Sequence, residues 1–465
     1  MNCSEISVRL GLAPPDEDRE ITSVVTDSRQ AVPGALFVCL PGEHADGHDF
    51  ARQAQQAGAA AVLASRALPQ IDVPVLLVED TVRALGDMAL LWREKTQAVV
   101  VGLTGTAGKT TVKELLAHIL AKHGKTARNA LNYNNQIGLP RSMLATDGDE
   151  CFWVMEAGIS KEGDMEELGA VLRPDLGLIL NAGAGHTERL GARGVAAHKS
   201  ALLQYLSQDG RGLVSADYPD LMREAVSSGA KLDFFSAVNP DVRYYAAYEG
   251  PAREAERNGA RGRYRLCLDG ETITVTAPFR GQYGAENCAA AAAAAHLLGL
   301  SAAEIVAGVA DAPIPAQRFS RKKIGQWEII DDTYNANPLS MRRMLDAAVE
   351  IADKRALVPV LGEMRELGLM AGIEHEKLGR RLADINPAGV FWKGGHEAQV
   401  RLGLEKGGYG GLFFPIRERA DFIHALNALL RENKIARNGA LLLFKGSRGN
   451  RLEEECADIC RAFQE

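Results

Sequence analysis

Val99-Val100-Val101-Gly102-Leu103-Thr104-Gly105-Thr106-Ala107-Gly108-Lys109-Thr110-Thr111, followed by Val112, Leu115, Leu116, Ile119 and Leu120, is the stretch that decides the fold. An apolar run, a small-residue turn and apolar positions at helical spacing predict a strand, a tight loop and an amphipathic helix in succession. That order puts the loop at the N-terminus of a helix, where backbone N–H groups and the helix dipole favour phosphate. Thr104, Gly105, Thr106, Ala107, Gly108, Lys109, Thr110 and Thr111 therefore read as a phosphate-binding loop for a nucleoside triphosphate. Lys109 is expected to reach the β- and γ-phosphates, and Thr110 to offer its hydroxyl to Mg2+. Leu103 stands where the common G-x-x-x-x-G-K-[ST] spacing has its first glycine, and Gly102 lies one residue too far upstream. A plain glycine-containing strand-to-helix turn is the alternative for the same residues.

A chain of 465 residues corresponds to about three domains, and 46% hydrophobic residues give each of them material for a core. The net charge of −7 argues against a general nucleic-acid binder, which needs a cationic face, so any anionic substrate must be held by a local cluster of cations. No apolar run approaches the roughly 18 residues of a membrane span. Met1 to Leu10 carry polar and acidic residues where a signal peptide has a basic start and an apolar core, so a cytoplasmic chain without membrane insertion is expected. The seven cysteines, Cys3, Cys39, Cys151, Cys267, Cys288, Cys456 and Cys460, form no C-x-x-C pair and read as reduced, mostly buried small residues.

Strand-like runs at Ala35 to Leu40, Ala60 to Leu63 and Val75 to Val78 alternate with Ala-rich helical stretches and predict a small α/β domain over residues 1–95. From residue 96 the units lengthen. Ala98 to Leu103, Cys151 to Met155 and Leu176 to Leu180 each end in a Gly- or Asn-containing loop before a helical stretch, the pattern of a parallel sheet with its site at the carboxyl ends of the strands. Period-two alternation at Arg263 to Leu268 and Thr272 to Thr276 predicts antiparallel strands between about Lys231 and Pro278. The run Ala289 to Ala295 predicts a tightly packed helix. Ala312-Pro313-Ile314-Pro315 closes this domain, taken as 96–312, because two prolines cannot extend a helix and stiffen the joint. A third α/β domain over 313–465 has strands at Trp327 to Ile330, Leu357 to Leu361, Gly389 to Trp392 and Ala440 to Phe444.

Glu156 directly follows a strand, and His186 stands in a loop after the next one, so both are expected at the sheet edge that carries Lys109 and Thr110. A carboxylate and an imidazole there can complete Mg2+ coordination around a triphosphate, although a loop histidine also serves as a solvated or hydrogen-bonded residue. Asn132, Asn134 and Asn135, in N-Y-N-N-Q-I-G-L-P, suit a sugar, a base or a peptide backbone, since amides donate and accept without charge. A capped turn before a helix explains the same residues. Asp331 to Pro338, with Tyr334, Asn335 and Asn337, has the same character and follows a strand of the third domain, from which it could close over a nucleotide.

Taken together these residues resemble the Mur ligases, ATP-dependent enzymes that join amino acids or dipeptides to a UDP-linked muramyl peptide. The resemblance covers nearly the whole chain. T-G-T-A-G-K-T-T is similar to the family's own form of the phosphate loop, and V-M-E-A-G places Glu156 at a magnesium-binding glutamate. Asn181 to Glu188 resembles the segment that carries a metal-binding histidine, here His186. Ala197-His198-Lys199 resembles the segment with a lysine carried as a carbamate, which implies a carbamylated Lys199 as a further Mg2+ ligand. Thr26-Asp27-Ser28-Arg29 is similar to the UDP-binding N-terminal domain, implying substrate roles for Ser28 and Arg29. D-T-Y-N-A-N-P and L-G-E-M-R-E-L-G resemble the branch that adds D-alanyl-D-alanine, with Lys445-Gly446-Ser447-Arg448 in the same pattern. Gly281 to Cys288 departs from the G-x-H-N-x-x-N-A adenine segment, since Tyr283 and Gly284 replace its His and Asn. Asn287 alone carries over as an adenine contact.

The resemblance implies an α/β fold of three domains: a small UDP-binding domain, a central P-loop ATPase domain with a parallel sheet, and a C-terminal Rossmann-like domain. It implies ATP and Mg2+ as cofactors, Lys109, Glu156, His186 and Lys199 in catalysis, and Arg318 and Asp332 at the nucleotide. The implied reaction adds D-alanyl-D-alanine to UDP-N-acetylmuramoyl-tripeptide through an acyl phosphate, in a monomeric enzyme of peptidoglycan synthesis. A diamino-acid-adding Mur ligase and a non-catalytic nucleotide-binding scaffold are the alternatives. The D-N-P-R motif expected of the former does not occur. Folylpolyglutamate synthetase-like and cyanophycin synthetase-like ligases share the central chemistry but not the D-S-R segment.

Overall fold

Short apolar strands separated by helices pair in parallel, because each helix carries the chain back across the sheet before the next strand begins. A computed structural model describes residues 1–42, 45–183, 190, 194–252, 261–314, 316–325, 327–431 and 439–462. Among these residues three sheets form, one per expected domain.

The first sheet is all parallel, with β1 (Ser23–Val25), β2 (Ala35–Val38), β3 (Ala61–Ala64) and β4 (Val75–Leu77) in chain order. The second has nine strands: β5 (Val99–Thr104), β6 (Thr126–Arg128), β7 (Phe152–Glu156), β8 (Leu176–Ile179), β9 (Arg211–Ser215), β10 (Leu232–Ser236), β11 (Tyr244–Pro251), β12 (Gly262–Leu268) and β13 (Glu271–Ala277). Their order is β13-β12-β11-β10-β9-β8-β5-β7-β6. The strand order reverses at β5, which places a crevice for ligand at its carboxyl end. Antiparallel pairing is confined to β11-β12-β13. The expectation of antiparallel strands from Lys231 onward is thus corrected at its start. β10 pairs parallel with β9, having crossed over by the helix Pro219–Ser227, and β11 begins beside the last residues of β10 and runs on in the same direction.

The third sheet contains β14 (Ser320–Ile324), β15 (Trp327–Asp332), β16 (Leu357–Gly362), β17 (Gly389–Lys393), β18 (Leu412–Pro415) and β19 (Leu441–Lys445), in the order β14-β15-β19-β16-β17-β18. All pairs are parallel except the edge hairpin β14-β15. Ala289 to Ala295 lie inside the helix Gln282–Leu297 and are all buried, since methyl side chains let this helix approach the central sheet and the helix Lys109–Leu120 closely.

The cores are not distributed one per sheet. Leu36, Val38 and Leu63 of the first sheet, Leu85 and Met88 of the helix Thr81–Lys95, and Val100, Trp153 and Met155 of the second sheet belong to one apolar cluster. The third sheet has separate clusters on its two faces. No helix among the described residues is long and apolar enough to cross a membrane. The cysteines are all free, and Cys151 is exposed and Cys267 partly so.

Candidate active site

The turn after β5 needs a left-handed residue to enter its helix, and Gly108 supplies it with φ +84°. A Cβ there would also come within 2.8 Å of Asn287 Oδ1. The turn is fixed from the neighbouring strand end: Asn181 Oδ1 accepts from the amides of Thr106 (2.9 Å) and Ala107 (2.8 Å), and its Nδ2 donates to Ala107 O. Two amides of the expected phosphate cradle are thus already engaged. Gly108, Lys109, Thr110 and Thr111, at the helix N-terminus, line a cavity of about 470 Å3 together with Thr106 and Ala107. Thr104 is fully buried, and neither it nor Gly105 lines that cavity.

Lys109 is the first residue of its helix, and its ammonium donates to Gly105 O at 2.9 Å. Burial holds its pKa below the usual lysine range, against the opposing pull of Glu156. Glu156 ends β7 and is 2% exposed; its Oε2 accepts from Thr110 Oγ1 at 2.9 Å and its Oε1 from Asn134 Nδ2 at 2.7 Å. Asn129 holds the strand end from behind, its Oδ1 accepting from Glu156 N and its Nδ2 donating to the carbonyls of Glu156 and Tyr133. Lys113, fully buried one turn beyond Lys109, donates to the carbonyls of Asn129 and Leu131. Asn132, Asn134 and Asn135 line the cavity, and Asn135 also accepts from the amides of Ile137 and Gly138 as a turn cap.

The third domain closes the far wall. Arg318, just past the linker, donates to Thr110 Oγ1 at 3.1 Å and stacks 3.9 Å over the ring of Tyr334. Asp332 Oδ1 accepts from Phe319 N, and its Oδ2 pairs with the buried Lys445, whose Nζ also donates to Asn335 O. Asn337 caps the helix Pro338–Ala352 and reaches across to Thr106 O at 3.1 Å. Tyr334, Asn335 and Asn337 all line the cavity. Leu115, Pro278, Phe279, Tyr283 and Phe319 form its apolar end, beside Asn287.

Gly284 is explained by its neighbours, since a Cβ there would collide with the Tyr264 hydroxyl and approach the Phe279 ring. The position has no room for the family's Asn.

Lys199 lies in the helix Gly194–Ser200 and is buried; burial and the nearby Lys109 push its pKa well below the usual lysine value. His186 lies outside the described residues. Ser28 and Arg29 do not line this cavity. Ser28 is buried and donates to Gln53, while Arg29, 81% exposed, grips both oxygens of Asp27 and holds that carboxyl at about 2. Arg29 is thus paired with Asp27 while remaining at the surface. Reading by motif also passed over Asn129, Lys113 and Arg343, which act through the fold and carry no local pattern.

The donor set suits a hard dication beside a triphosphate: a hydroxyl and a carboxylate oxygen converge at a helix N-terminus. An unmodified Lys199 ammonium does not fit as a ligand, whereas its carbamate would.

Family descriptions match in three consecutive blocks: "Mur ligase family, catalytic domain" over residues 20–93, "Mur ligase middle domain" over 103–295, and "Mur ligase, glutamate ligase domain" over 317–448. A UDP-N-acetylmuramoyl-tripeptide--D-alanyl-D-alanine ligase of Escherichia coli is 33% identical over 96% of this chain and 95% of its own length. The crystal structure of MurF from Acinetobacter baumannii superimposes with a TM-score of 0.87 at 27% identity, covering 99% of this chain and 98% of that one. MurF from Thermotoga maritima, solved in complex with ADP, gives a TM-score of 0.83 at 25% identity over 95% and 98% of the two chains. With matched blocks in all three sheets, and a cavity built by the segments that carried the resemblance, the chain belongs to the Mur ligase family.

Proposed function

We propose that this chain is the ATP-dependent ligase that adds D-alanyl-D-alanine to UDP-N-acetylmuramoyl-tripeptide, giving the UDP-linked pentapeptide precursor of peptidoglycan. The observation that carries the reading is the meeting in one cavity of Thr110 and Glu156 with Arg318 from beyond the linker. The names of the full-length relatives supply the substrates. Residues 1–95, 96–312 and 313–465 serve as the UDP-sugar-binding, ATP-binding and C-terminal Rossmann-like ligase domains of a cytoplasmic monomer that uses neither nucleic acid nor membrane insertion.

In the first step the terminal carboxylate of the tripeptide takes the γ-phosphoryl group, a C–O–P link forms and ADP leaves. The dipeptide amine then attacks the acyl carbon, phosphate departs and the amine gives up a proton. Mg2+ bound at Thr110, Glu156, His186 and the Lys199 carbamate would neutralise the repulsion between the two reacting anions. Lys109 and Arg318 add fixed positive charge from opposite walls, where exclusion of water strengthens it. Glu156 orients the Thr110 hydroxyl and is itself oriented by Asn134. Asn287 and the apolar end of the cavity take the adenine, and Asp332 and Lys445 shape the wall beside the ribose. Ser28 and Arg29 hold the UDP-sugar, and Asn132, Asn135, Tyr334, Asn335 and Asn337 the peptide or sugar. Lys199 holds a carbamate made when its neutral amine attacks CO2 and loses a proton, and burial favours that neutral form.

The test is phosphate release by purified protein with a panel of UDP-muramyl peptides and amines. Release that requires both the UDP-muramyl tripeptide and D-alanyl-D-alanine is the expected result. Turnover with a UDP-muramyl dipeptide and a diamino acid would make the chain a diamino-acid-adding ligase, and release with no amine dependence would refute ligation.

A further inference from the structure

The helix Pro338–Ala352 of the third domain lies against the central domain along one face, since Arg343, Ala347 and Glu350 follow at spacings of four and three. Leu339 meets Gly183, Ala347 meets Gly281, and Glu350 accepts from Arg280 and Tyr248. On this face Arg343, mostly covered, pairs with Glu286 of the helix Gln282–Leu297. Glu286 is 6% exposed in its side chain. Its Oε2 also accepts from Tyr218 at 3.1 Å, and its Oε1 from Asn181 Nδ2 at 2.6 Å. Asn181 is the residue whose other amide atom holds the backbone N–H groups of Thr106 and Ala107. A continuous polar chain thus runs from the third domain to the phosphate loop.

We propose that Glu286 and Arg343 are positioning residues for the ligase reaction: docking of the third domain supplies the counter-charge of a buried carboxylate, and that carboxylate orients Asn181 under the phosphate loop. A buried carboxylate that loses its cation is strongly unfavourable, so undocking disturbs Glu286 first and the loop with it. The pairing couples the arrival of Arg318 and Asn337 at the nucleotide to the shape of the cradle they close. It rests on the ligase reading for its role in turnover, but not for the linkage itself.

The experiment compares Glu286→Gln, Arg343→Met, the double variant and Arg343→Lys. Backbone hydrogen exchange of the segment containing Thr106 and Ala107 is followed with a non-hydrolysable ATP analogue, alongside phosphate release with D-alanyl-D-alanine. Each single loss of charge should speed exchange in that segment and lower kcat/KM for ATP at least about tenfold. The double variant should be no worse than the poorer single one, and Arg343→Lys should recover part of the loss. Unchanged exchange in both single variants, or additive losses in the double variant, would overturn the proposal. So would a loss with Arg343→Met and none with Glu286→Gln, which would make Arg343 a substrate contact. If Glu286→Gln does not fold, the two Arg343 variants still decide by exchange. If the parent protein shows no amine-dependent release, the ligase reading fails, and the exchange arm still tests the linkage.

Discussion

Lys199, which is buried, and Lys109, which is half-buried, lie within electrostatic reach of each other, with Glu156 the carboxylate that pulls against their repulsion. A carbamate on Lys199 relieves that conflict by turning one cation into an anion. Lys199→Ala is expected to lose activity on the order of 10²-fold or more, and added acetate or formate to restore part of it. Parent enzyme in CO2-depleted buffer should likewise slow and recover with bicarbonate. A fully active Lys199→Ala protein would remove the residue from the site. Lys109→Ala should cost on the order of 10²-fold in phosphate release while melting close to the parent, since its bond to Gly105 O contributes only about 1 kcal/mol. Turnover within about threefold of the parent would contradict its place at the γ-phosphate. At this scale the sequence was legible where chemistry is written locally, in G-K-T and in the strand-terminal Glu156. It was silent on Glu286 and Arg343, which come from separate helices and meet Asn181 only through the fold.

Between strand and site stands the loop of residues 129–135, whose form depends on groups outside it. Lys113 places a buried ammonium on the carbonyls of Asn129 and Leu131, and Asn129 passes that order on by two bonds to the Glu156 backbone and a third to Tyr133 O. Lys113→Met would leave two inward-facing carbonyls without their donor, a cost of about 1–3 kcal/mol each if water cannot replace it. The expected outcome is a lowered melting temperature and a fall in kcat exceeding the rise in KM for ATP, because Glu156 shifts relative to Thr110. A rise in KM with kcat unchanged would show that the loop only binds. Strands at this level were read to within one or two residues wherever they are apolar and central, as at β5, β7 and β19. β14, Ser-Arg-Lys-Lys-Ile, went unread because it is a polar edge strand whose lysines face solvent, a composition that guards against edge-to-edge association and looks like a loop. β1 is only three residues long and offers too few positions for a period.

Three sheets follow from the alternation of strands and helices along the chain, but the grouping of cores does not, since Trp153 and Leu63 come into one apolar cluster only after folding. That shared core ties the first domain to the second, so relative movement falls to the third. Several contacts of the third domain with the central one are polar: Arg318 with Thr110, Asn337 with Thr106, Arg343 with Glu286 and Arg280 with Glu350. Joints of this kind, across a short proline-containing linker, permit domain motion. Arg318 can share a phosphate with Lys109 only when the third domain is docked, so nucleotide and UDP substrate should select the docked arrangement by their added contacts. Small-angle scattering should therefore show a smaller radius of gyration with an ATP analogue and UDP-muramyl tripeptide than without, approaching that of the docked arrangement. The first two domains should keep a constant mutual distance in the same experiment, measured by a spectroscopic ruler between labels on exposed positions of each. A radius that does not change at saturating ligand would mean that the site is preassembled, and that closure does not accompany binding.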